Sequence, residues 1–109
     1  MSDSIYDVAI IGAGMVGATL ASLLSRSGFS VALVEAVEPD TFDEGAEVGL
    51  RVSAISPGSS AILEQAGAWK LIGSQRVRPY RRMQVEDGFE PDPLLFDAPV
   101  FNMESLGTI

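Results

Sequence analysis

Three glycines within six positions, Gly12, Gly14 and Gly17, interrupt a stretch from Val8 to Leu24 that is nearly free of charge. That single feature limits what the segment can become. One continuous helix would lose about 1 kcal/mol at each interior glycine relative to alanine. The stretch reads instead as strand, turn and helix. Ile5 to Ile11 reads IYDVAII, a β-branched run without clean alternation after Asp7, as expected of a parallel strand covered on both faces. Met15 to Ser27 favours helix, with Val16, Leu20, Leu23 and Leu24 at helical spacing. Arg26 in the last turn and Gly28 just beyond it are stop signals. Ser30 to Val34 (SVALV) is a second strand, and Glu35 follows it.

Strand, glycine turn, helix and strand in that order give the turn a chemical meaning. The first glycine permits a tight exit from the strand. The second has no Cβ, so a pyrophosphate can approach the backbone. The third lets the helix pack closely on the strands. The helix start offers unpaired amides and a partial charge of about +0.5. Glu35, at the end of the second strand, is placed to accept hydrogen bonds from an adenosine ribose. Gly12, Ala13, Gly14, Met15, Val16, Gly17 and Glu35 are thus the candidate cofactor-binding residues. A carboxylate suits a free 2′-hydroxyl and repels a 2′-phosphate, so FAD or NAD is expected here and NADP is not. The competing readings are glycines that serve strand–helix packing alone, and a Glu35 that is a solvated strand end.

Composition narrows the chemistry further. The chain has 109 residues, one small domain or a piece of a larger one, and is 47% hydrophobic, enough for a packed core. A net charge of −8 argues against nucleic-acid binding, which needs a basic surface. There is no Cys and no His. Disulfides, thiolate nucleophiles, Ser-His-Asp catalysis and the commonest zinc sites are excluded. No catalytic residue and no metal ligand is assigned, and any redox chemistry falls to a bound cofactor. The run from Val8 to Leu24 could pass for a signal peptide or a membrane span. Asp3 and Asp7 are the only charges ahead of it, whereas a signal peptide carries a basic n-region. The run reads as buried core of a cytoplasmic protein.

Beyond Glu35, Glu38 to Leu50 is an acidic loop carrying Glu38, Asp40, Asp43, Glu44 and Glu47. It lacks the regular spacing of a calcium loop and reads as solvated. Ser56-Pro57 predicts a helix start, with Ser as N-cap and Pro at N1, running to about Ala66 and ended by Gly67. Ala68 to Ser74 predicts a further short helical turn. Arg82 to Glu86 predicts a strand, Asp87-Gly88 a turn, and Leu94 to Asp97 a partner strand. The last ten residues carry no clear signal. Arg76, Arg78, Arg81 and Arg82 are four of the seven basic residues; they read as a solvated face balancing the acidic loop, with a binding patch as the alternative. Trp69 and Tyr80 suit substrate contact or packing equally.

The segment DVAIIGAGMVGATLASLLSRSGFSVALVE, followed by RVSAI (Arg51 to Ile55), LEQAGAW (Leu63 to Trp69) and PYRRMQVEDG (Pro79 to Gly88), resembles the flavin-dependent aromatic-ring hydroxylases, in particular the ubiquinone-biosynthesis hydroxylase branch. The resemblance covers essentially the whole chain and is weakest in the acidic loop and after Gly88. It implies an α/β fold: a Rossmann-like βαβ FAD-binding unit, truncated, with the start of an antiparallel β substrate domain. On that reading residues 1–75 are the FAD-binding unit with its following helix, and 76–109 begin the substrate domain. It implies FAD as cofactor, NADH or NADPH as electron donor, and a polyprenylated phenol or quinol as substrate. It places Arg51 near the FAD pyrophosphate or flavin; a structural ion pair with the acidic loop is the alternative for that residue. Members of the family are several times longer and carry later Gly-Asp and Asp-Gly motifs that are absent here. The chain is therefore expected to be an N-terminal fragment, inactive by itself. Its open sheet edges predict marginal stability or self-association. Peripheral contact with the inner membrane or a biosynthetic complex is a further implication. Other FAD- or NAD-dependent oxidoreductases and a non-catalytic nucleotide-binding module are the rival functions.

Overall fold

The structure is a computed structural model that describes residues 3–74 and 76–109. Met1, Ser2 and Gln75 lie outside the described residues, and with Gln75 the position of the boundary expected at 75/76.

The first strand, β1 (Val8–Ile11), leads through the glycine turn into helix α1 (Met15–Arg26) and then β2 (Val31–Val34). The two strands pair in parallel, from Val8 opposite Val31 to Ile11 opposite Val34. β1 starts later than the expected Ile5; at its head the Asp7 and Val8 amides both donate to the Ser30 carbonyl, and the Asp7 side chain adds to that contact. Its carboxylate accepts from the Ser30 backbone amide at 2.8 Å and from the Ser30 hydroxyl at 2.7 Å. That amide bond, more than the hydroxyl, holds the Asp7 carboxyl below its ordinary value. α1 ends with the Ser27 amide bonded back to Leu23 and Leu24, and Gly28 then takes φ +93°, a left-handed conformation that favours glycine.

One expectation is corrected here. The apolar run is not a core covered on both sides. Val8 and Ile10 are half-buried, Ile11 is 81% exposed, and α1 has no buried residue. The reason is the number of layers. Two strands with one helix beside them bury a single face and leave the other face and both outer edges uncovered.

Helix α2 (Pro57–Gln65) begins as expected: the Ser56 hydroxyl accepts from the Ser59 amide at 3.2 Å, with Pro57 at N1. A short helix, α3 (Trp69–Gly73), follows the left-handed Gly67. The Ser22 hydroxyl donates to the Ala66 carbonyl at 2.6 Å, tying α1 to the end of α2. Leu63 of α2 and Ala66 just after it, with Ala98, are the buried apolar side chains among the described residues. Their small number agrees with an extended shape. The radius of gyration is 18.1 Å, where a compact chain of about 100 residues has roughly 13 Å.

The remaining strands are antiparallel. β3 (Pro79–Tyr80) is followed by β4 (Arg82–Val85) and β5 (Leu94–Asp97), then by a 3₁₀ turn (Ala98–Phe101) and β6 (Gly107–Thr108). β4 pairs with β5 from Arg82 opposite Asp97 to Val85 opposite Leu94, the expected hairpin. β3 pairs with β6, and Thr108 also bridges Ile55. That second pairing had no sequence signal. It is held by Gly107, where a Cβ would stand 2.3 Å from the Ile55 carbonyl oxygen. The fold is thus mixed α/β. Among the described residues no helix is long and apolar enough to cross a membrane.

Candidate functional site: the glycine turn and Glu35

The turn after β1 is built from three glycines that serve three different ends. The Gly12 amide donates to the Val34 carbonyl at 2.7 Å, extending the β1–β2 ladder by one bond. Gly12 then takes φ +102°, which swings the chain out of the sheet. Gly17 lies against the start of that swing. A Cβ on it would meet the Gly12 carbonyl oxygen at 1.9 Å and Ile10 Cγ2 at 3.4 Å, so only hydrogen fits. Gly14 is different. It is the N-cap of α1, in extended backbone at φ −67°, and a Cβ on it would meet nothing within 4 Å. The absence of a side chain at Gly14 therefore leaves open space in front of the helix.

The helix start carries no capping side chain, and the first intrahelical bond runs from the Ala18 amide to the Gly14 carbonyl at 2.9 Å. The amides of Met15, Val16 and Gly17 precede it, and the first amides of a helix have no partner within it. Met15 and Val16 are exposed, and Gly17 is half-buried. A group of unpaired amides facing open space beside a helix N-terminus is suited to an anion.

Glu35 stands next to this turn. One carboxylate oxygen, Oε2, accepts from the Ala13 amide at 2.7 Å; the other, Oε1, accepts from Ala36 at 2.8 Å and more weakly from Val37 at 3.4 Å. The Ala13 bond first, then those of Ala36 and Val37, hold the Glu35 carboxyl below its ordinary value. Glu35 is thus ionised at neutral pH and directed at the glycine turn.

Arg51 is exposed and lies in a loop. Among the described residues the one side-chain ion pair is Arg82–Asp97, at 2.9 Å, so Arg51 does not pair with the acidic loop. Its neighbours Val52 and Ser53 do share a cavity of about 270 Å³ with Met15 of the turn. The acidic loop is held by Arg76 instead, whose guanidinium donates to the Glu44 and Ala46 carbonyl oxygens. Sequence reasoning missed that contact, because nothing local signals a cation that bonds to carbonyls some 30 positions away. Trp69 lines the same cavity, and Tyr80 packs over Gly107. Among the described residues no cluster of acids has the geometry to hold a metal ion.

The family described as "FAD binding domain" matches residues 5–87. The chain is 36% identical over 107 residues to the 3-demethoxyubiquinol 3-hydroxylase of Escherichia coli (strain K12), covering 98% of this chain and 27% of that protein. It is 36% identical over 113 residues to the mitochondrial ubiquinone biosynthesis monooxygenase COQ6 of Homo sapiens, covering 99% and 24%. It is 34% identical over 90 residues to the ubiquinone hydroxylase UbiL of Rhodospirillum rubrum, covering 83% and 20%. The chain spans about a quarter of the length of these curated relatives.

Proposed function

We propose, from the premise that the chain belongs to the FAD binding domain family, that Gly12–Gly17 and Glu35 hold the ADP half of FAD. One observation carries this reading. The open space at Gly14 lies before the free amides of α1, with an ionised carboxylate beside them. These residues fit the cofactor. The amides of Met15, Val16 and Gly17 would bind the pyrophosphate, Gly14 would allow its approach, and Glu35 would accept from the ribose hydroxyls. Arg51 would lie near the pyrophosphate or the flavin.

On this reading β1, α1 and β2 are a Rossmann-like βαβ unit. Residues 1–75 form the FAD-binding part, and the hairpin and short strands of 76–109 begin the substrate domain. The whole protein is an aromatic-ring monooxygenase that hydroxylates a polyprenylated phenol or quinol of ubiquinone biosynthesis, with NADH or NADPH as electron donor. The names of the similar hydroxylases support hydroxylation in the ubiquinone pathway. When bound, FAD supplies the redox and oxygen-activating chemistry, which agrees with a chain that has neither His nor Cys. The part of these residues is to bind and orient the cofactor.

Calorimetric titration with ADP and with 2′-phospho-ADP tests the site. ADP is expected to bind more tightly, because Glu35 repels a second phosphate on the ribose. Tighter binding of the phosphorylated ligand refutes the role given to Glu35. For the hydroxylase reading, the full-length protein is expected to show a yellow flavin spectrum and NAD(P)H oxidation stimulated by a phenolic substrate. A colourless protein without such oxidation refutes it.

A further inference from the structure

We propose that Glu35 is also a positioning residue, one that holds the glycine turn in its bent form before any ligand arrives. The inference rests on the reading of that turn as an ADP site. Main-chain pairing between β1 and β2 ends with the bond from the Gly12 amide to the Val34 carbonyl. Immediately afterwards Gly12 turns the backbone out of the sheet. The next rung is supplied by a side chain: Glu35 Oε2 takes the Ala13 amide at 2.7 Å while Oε1 is anchored on the Ala36 amide at 2.8 Å. The carboxylate therefore bridges the end of β2 to the turn at the point where the two main chains diverge.

Two consequences follow for the site. The Ala13 amide is already engaged, so the amides left for a diphosphate are those that come after it. Each carboxylate oxygen also has two lone-pair positions. Oε2 uses one for Ala13 and retains another for a sugar hydroxyl, so holding the turn and binding ribose do not exclude each other. The charged groups on the flanking elements are Asp7 ahead of β1, Arg26 at the far end of α1, and Glu38 and Asp40 in the following loop. Among the described residues none of them is ion-paired with Glu35. The acid–base behaviour of the contact therefore follows the Glu35 carboxyl itself.

Two measurements test this. In the ligand-free chain, the Ala13 amide resonance is expected to titrate with a midpoint below the ordinary Glu value of 4.5, and the Glu35→Gln variant is expected to abolish that titration. An Ala13 amide that is insensitive through the carboxylate range overturns the proposal. The second measurement uses 2′,3′-dideoxy-ADP, which offers no ribose hydroxyl. Glu35→Ala is expected to weaken its binding several-fold, and Glu35→Gln, which keeps an acceptor for Ala13, to restore most of the loss. Unchanged binding would mean that Glu35 serves the ribose alone. Binding by Glu35→Ala as tight as or tighter than by Glu35→Gln, two variants that both lack the charge, would mean that the Ala13 contact does not hold the turn. Either result overturns the proposal. If Ala13 titrates but neither ADP nor its dideoxy form binds, the ADP reading fails while the positioning role stands.

Discussion

Replacing Gly17 with alanine tests the architecture of the turn most directly. The new Cβ would sit 1.9 Å from the Gly12 carbonyl oxygen and 3.0 Å from its carbon, whereas real Cβ atoms essentially never come within 3.0 Å of such neighbours. The obstructing atoms are backbone, so no rotamer change relieves the contact. α1 must move away from β1, or Gly12 must leave its conformation. Insertion of a methyl group into a packed site costs about 1–3 kcal/mol, and rigid neighbours place this case at the upper end. Alanine gains roughly 1 kcal/mol over glycine in a helix. The net loss is thus about 2 kcal/mol, or a fall in melting temperature of roughly 10 °C for a domain of this size. Gly14→Ala is the control. It meets nothing within 4 Å and has no positive φ, so its stability is expected to fall only by the roughly 1 kcal/mol or less that alanine costs relative to glycine at an N-cap, a smaller loss than that of Gly17→Ala. It is nevertheless expected to lose ADP affinity, because its Cβ occupies the space through which a phosphate approaches. Urea denaturation followed by circular dichroism, with ADP calorimetry on each variant, measures both effects. A Gly17→Ala chain of wild-type stability and affinity would refute the packing argument, and a Gly14→Ala chain that binds normally would refute the approach path.

Two other outcomes are expected. Ser56→Ala removes the acceptor for the Ser59 amide at the start of α2 and should cost about 1 kcal/mol, while Ser56→Asp should retain most of the stability; equal urea midpoints for all three chains would show that the cap contributes nothing. The Asp7, Glu35 and Asp87 carboxyls are each held below their ordinary values by hydrogen bonds, chiefly from backbone amides. Their contribution is therefore complete above the unfolded carboxylate range of about 3.9–4.3 and is lost as pH falls through the lower folded values. The urea midpoint should decline on acidification, and Asp7→Asn should make that decline shallower; an identical acid limb in the variant would remove Asp7 from the account.

The sequence by itself determined the parts of this protein whose causes are local. Gly12, Gly14 and Gly17 demand a turn between strand and helix, because their backbone freedom and missing side chains are properties of the residues themselves. Ser56-Pro57 starts α2, Gly28 and Gly67 take left-handed conformations after their helices, and Asp87-Gly88 divides the β4–β5 hairpin. Glu35 could also be singled out, since it directly follows the second strand of a β–turn–α–β unit. Tertiary structure decided what depends on neighbours far away in the chain. Val8 to Leu24 is as apolar as a buried core, yet Ile11 and Val16 remain exposed because burial needs further layers and not hydrophobicity alone. The β3–β6 pairing joins Tyr80 to Gly107, and Thr108 is bridged besides by Ile55, 53 positions earlier in the chain; two-residue strands have too few residues to show a period of their own. The bond from Ala13 to Glu35 likewise required the fold. No spacing rule states that a carboxylate will turn back onto the amide of a neighbouring turn; that follows from two parallel strands ending side by side.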